Sequence, residues 1–306
     1  MEENTDNTDN TGNTDGKGRQ EQQVPEVQQA HEGQERTLAR WVWIASVGAI
    51  VANFIAEYFE IFGTETREIS ARNQTLITPS GTAFSIWSLI YVGTLVFSYW
   101  QSQQAKQAHD LAKGTRQWMI LAGVMNGTFP FLFHAEWIAM AWLAVVGLAI
   151  ALIPVYRQLY DARSSSWKER LMGKAPIALY LGWVSAAGAV ATAQVLAKAG
   201  MGFAPANGAM WALVVEGVVL LVATGLAYRF GDGVLPITIG WAFYWIYDSQ
   251  RFGERDLTLL MAVFLISLGI LQIGNALRKG LAAGKTLPAI AQEVEVAAEI
   301  ADKYKL

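Results

Sequence analysis

Residues 116–156 read RQWMILAGVMNGTFPFLFHAEWIAMAWLAVVGLAIALIPVY. Two apolar runs, 116–134 and 136–156, are parted only by His134-Ala135-Glu136. Each approaches the ~20 residues a helix needs to cross ~30 Å of hydrocarbon at 1.5 Å per residue. The alternation of a lipid-facing strand is missing, and lipid demands that backbone groups be satisfied within the segment. The stretch therefore reads as a tight hairpin of two membrane-spanning helices.

The same signature recurs on both sides. Further runs fall at 39–60, 81–101, 175–198, 209–230, 233–250 and 256–277. The expected fold is all-α: a polytopic transmembrane helical bundle of about eight spans, and hence a multi-pass integral membrane protein surrounded by lipid. Composition agrees. The 306 residues are 53% hydrophobic and 16% charged, against about 25% charged in soluble domains. A net charge of -3 offers no basic footprint for nucleic acid. The absence of cysteine excludes disulfides, thiolate catalysis and Cys-ligated metals. His31, His109 and His134 lie too far apart in sequence for a helical metal pair. No nucleophile–base pair or phosphate-cradling glycine loop is legible either, so the chemistry of an enzyme is not visible and a resident cofactor is not expected, while a membrane enzyme stays open as an alternative.

Residues 1–38 form a separate regime. Their Asn/Thr/Asp repeats bury almost nothing, which predicts disorder. They lack the basic start and apolar core of a signal peptide. At the other end, Leu287, Ile290, Val294, Ala297 and Ala298 recur at helical spacing, so 279–306 reads as an amphipathic tail helix. With eight spans, 18 of the 23 Lys and Arg residues fall on the side of the termini. The positive-inside rule then puts both termini in the cytoplasm, and the chain in the plasma membrane if it is bacterial.

The stretch Ile77-Thr78-Pro79-Ser80-Gly81-Thr82-Ala83-Phe84-Ser85-Ile86-Trp87-Ser88-Leu89-Ile90-Tyr91 resembles the start of the second helix in tryptophan-rich sensory proteins, the translocator protein or peripheral benzodiazepine receptor family. Pro79 and Gly81 punctuate the approach, and Phe84, Trp87 and Tyr91 share one helix face. Met125-Asn126-Gly127-Thr128-Phe129-Pro130-Phe131 is similar to that family's third helix, and Pro176…Tyr180-Leu181-Gly182-Trp183 to its fifth. On this reading, 39–198 is a five-helix family-like bundle, 199–278 adds three helices, and 1–38 and 279–306 are tails. The resemblance implies a hydrophobic small-molecule partner, tetrapyrrole- or sterol-like (a porphyrin or haem-like ligand included), in a sensory or transport role. It also implies a possible homodimer. The candidate ligand-binding residues are Pro79, Phe84, Trp87, Tyr91, Asn126, Pro130, Trp142 and Trp183.

The residues leave alternatives open. Pro130 cannot donate to the Asn126 carbonyl, so this face is either a polar ligand contact or a kink satisfied by a neighbour. Trp87, Tyr91, Trp142 and Trp183, with Gly93, Gly182, Ala186, Ala187 and Gly188, suit either a pocket for a planar apolar molecule or close helix packing. Trp41, Trp43, Trp100, Trp118, Trp137 and Trp211 lie near span ends, as an interfacial belt would. Trp241, Tyr244, Trp245 and Asp248 also read as a belt. Glu216, inside an apolar run, is either a proton or substrate site for a transporter or a carboxylate paired with Gln194 or Gln272.

A chain of this kind resists alkaline carbonate extraction from membranes and stays dispersed only in detergent. Recovery in the aqueous supernatant after gentle lysis would contradict the reading.

Overall fold

The computed structural model describes residues 14–59, 66–103, 112–162, 166–201, 208–250 and 255–282, with side chains described within these between 33 and 279, residue 67 excepted. Helix α1 runs Thr14–Tyr58 and a short α2 Thr66–Arg72. A 3-10 turn over Gly81–Ser85 feeds α3, Ile86–Ser102. Then come α4 (Arg116–His134), α5 (Ile138–Asp161), α6 (Ala175–Lys198, led by a π turn at Glu169–Lys174), α7 (Gly208–Phe230), α8 (Val234–Ser249) and α9 (Asp256–Ala282). No strand occurs among the described residues.

Among the described residues, six helical stretches are long and apolar enough to cross a membrane: Gly33–Tyr58, Gly81–Ser102, Ile138–Asp161, Glu169–Lys198, Gly208–Phe230 and Asp256–Lys279. The other two expected spans, α4 and α8, are helices of the same bundle but fall outside that set. Helix α4 holds Asn126 and ends on His134. Helix α8 has 16 residues, about 24 Å at 1.5 Å per residue, which is short of a bilayer core. It does not need lipid-facing length, because Leu235, Pro236, Thr238, Ile239, Ala242, Phe243 and Ile246 are buried against other helices.

One expectation is corrected at the N-terminus. Helix α1 begins at Thr14, well inside the stretch expected to be disordered. Residues 20–37 are rich in Gln and Glu, good helix formers. A folded span beside them also removes the cost of nucleation. Residues 1–13 and the tail helix expected within 279–306, beyond Ala282, lie outside the described residues.

Helix α1 packs on α3 and α4, α4 on α5, α5 on α6, α6 on α8, and α8 on α9; α7 rests chiefly on α9. Outward positions at mid-helix are large and apolar, as in Leu89, Val92, Ile150, Ile153, Val218, Leu221 and Val263. That is the surface lipid requires. Trp41, Trp118, Trp137 and Trp211 are exposed, as a belt residue should be. Trp100 is not: it is buried with its ring edge against Gly173.

Polar ties join the helices. Ser98 donates to Ser46 (2.9 Å), the Gln101 amide reaches the Ala39 carbonyl (3.1 Å), and Arg116 binds Gln101 Oε1 (2.9 Å) and the Glu35 carboxylate. In the turn before α8, Asp232 accepts from the Tyr156 and Tyr160 hydroxyls (2.9 and 3.0 Å) and caps the Val234 N–H (2.8 Å). Burial pushes its carboxyl above the usual aspartate range, although these bonds pull it down.

Helices α8 and α9 touch through backbone. A Cβ added at Gly269 would lie 2.4 Å from the Gly233 carbonyl oxygen, and one at Gly240 3.0 Å from that of Ala262. Small residues permit such contact where lipid supplies no hydrophobic drive. Gly269→Val should therefore cost about 1–3 kcal/mol by overpacking, read as a lower thermal midpoint in detergent. Gly274→Val, where an added Cβ meets nothing within 4 Å, should leave it nearly unchanged.

Candidate functional site

A cavity, partly open to the outside, lies among α4, α5, α6 and α8 beneath α2. Its wall on α6 is Trp183, Ala186, Ala187, Val190, Ala191 and Gln194. These positions follow i, i+3, i+4, i+7, i+8 and i+11, one face of a helix. Phe129 and Phe133 of α4 and Ala141, Trp142 and Val145 of α5 stand opposite. Helix α8 closes one side with Ala242 and Ile246. Pro79 and Phe84, on the approach to α3, and Thr66 and Ser70 of α2 complete the lining.

The candidate residues divide. Pro79, Phe84, Trp142 and Trp183 border this cavity. Trp87 does not. It stands behind Trp183, edge-on at 6.3 Å between ring centroids, and stacks on Tyr91 at 5.5 Å. Phe84 meets Trp183 edge-on at 5.9 Å. Tyr91 and Asn126 border a second, smaller cavity with Ser46, Thr94 and Tyr180. Pro130 is buried on α4 and borders neither. Its consequence is nonetheless visible: the Asn53 amide donates to the Asn126 carbonyl (3.3 Å) and to its side-chain oxygen (3.2 Å). The kink is satisfied from α1.

The small residues divide too. Gly182 admits α8: a Cβ added there would lie 2.9 Å from the Cβ of Thr238. Gly93 admits Pro176, which a Cβ would meet at 3.3 Å, and Gly188 faces Val145. These glycines serve packing, while Ala186 and Ala187 face the cavity.

The two cavity tryptophans are held differently. The Trp142 indole donates to Thr192 Oγ1 at 2.9 Å. The Trp183 indole N–H is buried without a partner. Gln194, 4% exposed, also makes no hydrogen bond to a described residue.

Helix α2 is tied down over the cavity. The Thr66 hydroxyl lies 2.7 Å from Glu57 Oε2 and 2.9 Å from His134 Nε2, and Arg72 pairs with Glu136 at 3.1 Å. Glu57 is thus bonded to the start of α2 rather than left to solvent.

Glu216 stands apart from the cavity. It is 1% exposed and pairs with Arg255 Nη2 at 2.5 Å while accepting from Thr258 Oγ1 at 2.9 Å. Neither Gln194 nor Gln272 is its partner. Hydropathy marks Arg255 only as a loop charge, yet it directly precedes α9 and reaches α7 from there.

Sequence reasoning missed the wall from α8 and the cover from α2. It also read Trp241 and Trp245 as a belt. Instead Trp241 Nε1 donates to the Ala83 carbonyl (3.2 Å), the Ser80 N–H to the Trp245 carbonyl (3.0 Å), and Ser249 Oγ to the Thr78 carbonyl (2.6 Å). Helix α8 clamps the approach to α3. The available signal was the stripe from Trp183 to Gln194, whose small residues between two polar ends describe a slot.

Neither a curated protein nor a solved structure matches the chain. The family model described as TSPO-like protein matches residues 39–275. That span takes in α7, α8 and most of α9 as well as the five helices first likened to the family. A match over so much of the sequence, on an all-helical membrane bundle, assigns it: the chain belongs to the TSPO-like protein family.

Proposed function

We propose that this integral membrane protein binds a hydrophobic small molecule, tetrapyrrole- or sterol-like, in the cavity beneath α2, in a sensory or transport role with both termini in the cytoplasm. The observation that carries this is the lining: rings of Phe84, Phe129, Phe133, Trp142 and Trp183 around a floor of alanines, under a short helix tied down by side-chain bonds. Flat apolar walls with few polar groups suit a flat apolar guest.

Two probes test it, dehydroergosterol and protoporphyrin dimethyl ester, followed by energy transfer from tryptophan in detergent. Ala187→Phe places a ring in the slot and should weaken whichever probe binds by about tenfold or more, since a filled pocket forfeits its burial. Trp142→Leu with Trp183→Leu should remove most of the transfer. Unchanged titrations in both variants would refute the cavity as the site.

A proton-coupled transporter centred on Glu216 is the alternative that its carboxylate suggested. Its bonds to Arg255 and Thr258 support a tie between α7 and α9. On that account Glu216→Gln strands a buried guanidinium and costs about 3–5 kcal/mol, whereas replacing both partners, Glu216→Leu with Arg255→Met, restores much of the loss. Thermal midpoints in detergent read this out. A stable Glu216→Gln protein that has lost a pH-driven flux in proteoliposomes would favour transport instead.

A further inference from the structure

The seam where α1 meets α3 and α4 carries polar side chains inward from both ends. From one end, Arg116 joins the Glu35 carboxylate to Gln101 Oε1 (2.9 Å). The Gln101 amide then donates to the Ser98 carbonyl (3.1 Å), and Ser98 Oγ donates to Ser46 Oγ (2.9 Å). From the other end, Glu57 holds Thr66, and one turn inward Asn53 donates to Asn126 Oδ1 (3.2 Å). Ser46 lies eleven residues from Glu35 and eleven from Glu57. At 1.5 Å per residue that is about 16 Å each way. The two files thus advance into the middle of a hydrocarbon layer ~30 Å thick.

They stop at one place. Ser46 and Asn126 both border the small second cavity, with Tyr91, Thr94, Met119 and Tyr180. Tyr180 comes from α6, outside the seam, and is 2% exposed. Its hydroxyl lies beside the Asn126 side chain yet has no hydrogen-bond partner. Of the described residues around this cavity, Tyr180 is the one with a buried, unpartnered polar atom. A bare hydroxyl at this depth is costly, because lipid offers nothing in exchange.

The lining defines the occupant. It brings hydroxyls from Ser46, Tyr91, Thr94 and Tyr180 and an amide from Asn126, but no Lys, Arg, His, Asp or Glu. An ion would meet no countercharge there. Thr94 gives its hydrogen to the Ile90 carbonyl (2.8 Å), so its oxygen is left to accept. Hydroxyls and an amide together call for an occupant that both donates and accepts. Bulk is excluded as well. At Gly123, on the cavity's edge, α4 runs so close to α1 that an added Cβ would lie 2.7 Å from that of Ala45. Small, uncharged, donor and acceptor at once describes water, which takes about two to four polar partners when buried.

We infer that the second cavity holds an ordered water molecule, bonded to the Tyr180 hydroxyl and to Ser46 and Asn126, which bridges the two polar files and ties α6 to the seam of α1, α3 and α4. The bridge also reaches the larger cavity. The Tyr180 ring meets Trp87 edge-on at 6.2 Å, and Trp87 meets Trp183 edge-on in turn. The water therefore steadies the helix that walls that cavity, whatever fills it.

Measurements on the full chain in detergent test this. Tyr180→Phe keeps the ring and removes the hydroxyl. With water in place the variant loses a hydrogen bond, and the thermal midpoint should fall by about 2–4 °C. In a dry cavity the same change removes a bare hydroxyl, and the midpoint stays or rises. The unaltered protein gives a second reading. An X-ray pulse turns water into hydroxyl radicals where it stands, so a buried side chain beside bound water is oxidised without bulk solvent. Met119, 2% exposed and on the cavity, should be oxidised; Phe97, fully buried and on neither cavity, should not. Replacing sodium chloride by choline chloride should leave the midpoint unchanged. A midpoint that holds or rises in Tyr180→Phe, a Met119 as silent as Phe97, or a midpoint that depends on sodium each overturns the inference, the last by putting a cation in the site.

Discussion

A polar atom inside a bilayer must find its partner in the protein. That constraint, more than apolar burial, decides how these helices are arranged, since lipid tails compete with side chains for apolar contact. The seam of α1 with α3 and α4 is a file of such partnerships: Glu35 with Arg116, Arg116 with Gln101, Ser98 with Ser46, Asn53 with Asn126. Helix α7, with large apolar residues outward, is tied to α9 by Glu216, Arg255 and Thr258. The turn between α7 and α8 is anchored on α5 by Asp232 and two tyrosines. Each tie fixes a register that van der Waals contact alone would leave free to slide.

The cavity follows from where those ties are. Helix α8 is drawn inward by glycine contacts with α9 and by its bonds to residues 78–83, and this brings Ala242 and Ile246 to the cavity wall. The C-terminal helices are therefore part of the cavity's architecture rather than an appendage to a five-helix unit. Their inclusion in the matched region, 39–275, has a physical counterpart in this wall.

The spans were legible because twenty apolar residues in a row admit few other readings. Asn126 and Pro130 were legible as a pair in need of a partner, since proline chemistry is local; that the partner was Asn53 depended on a contact 73 residues away. Glu216 was conspicuous for the same reason, yet its partner lay in a connection rather than a span, so hydropathy gave no hint of it. Helix α8 was the hardest to read. Its tryptophans match an interfacial belt in composition, and only the bond from Trp241 to Ala83 tells a clamp from a belt. The N-terminal helix was missed because low hydrophobicity predicts failure to build a core, whereas a helix extended from an anchored span needs none.

The two cavity tryptophans divide one task between them. Both present a flat ring to the same space, and composition alone would give them the same role. Trp142 has committed its N–H to Thr192, itself bonded to the Gly188 carbonyl at 2.7 Å, which fixes the ring as a wall. Trp183 is wedged between Phe84 and Trp87, edge-on to both, with its N–H uncommitted. Packing fixes that ring as firmly as a bond would, but leaves the donor free. Helices α5 and α6 thus hold the two rings by different means, a bond at Trp142 and packing at Trp183.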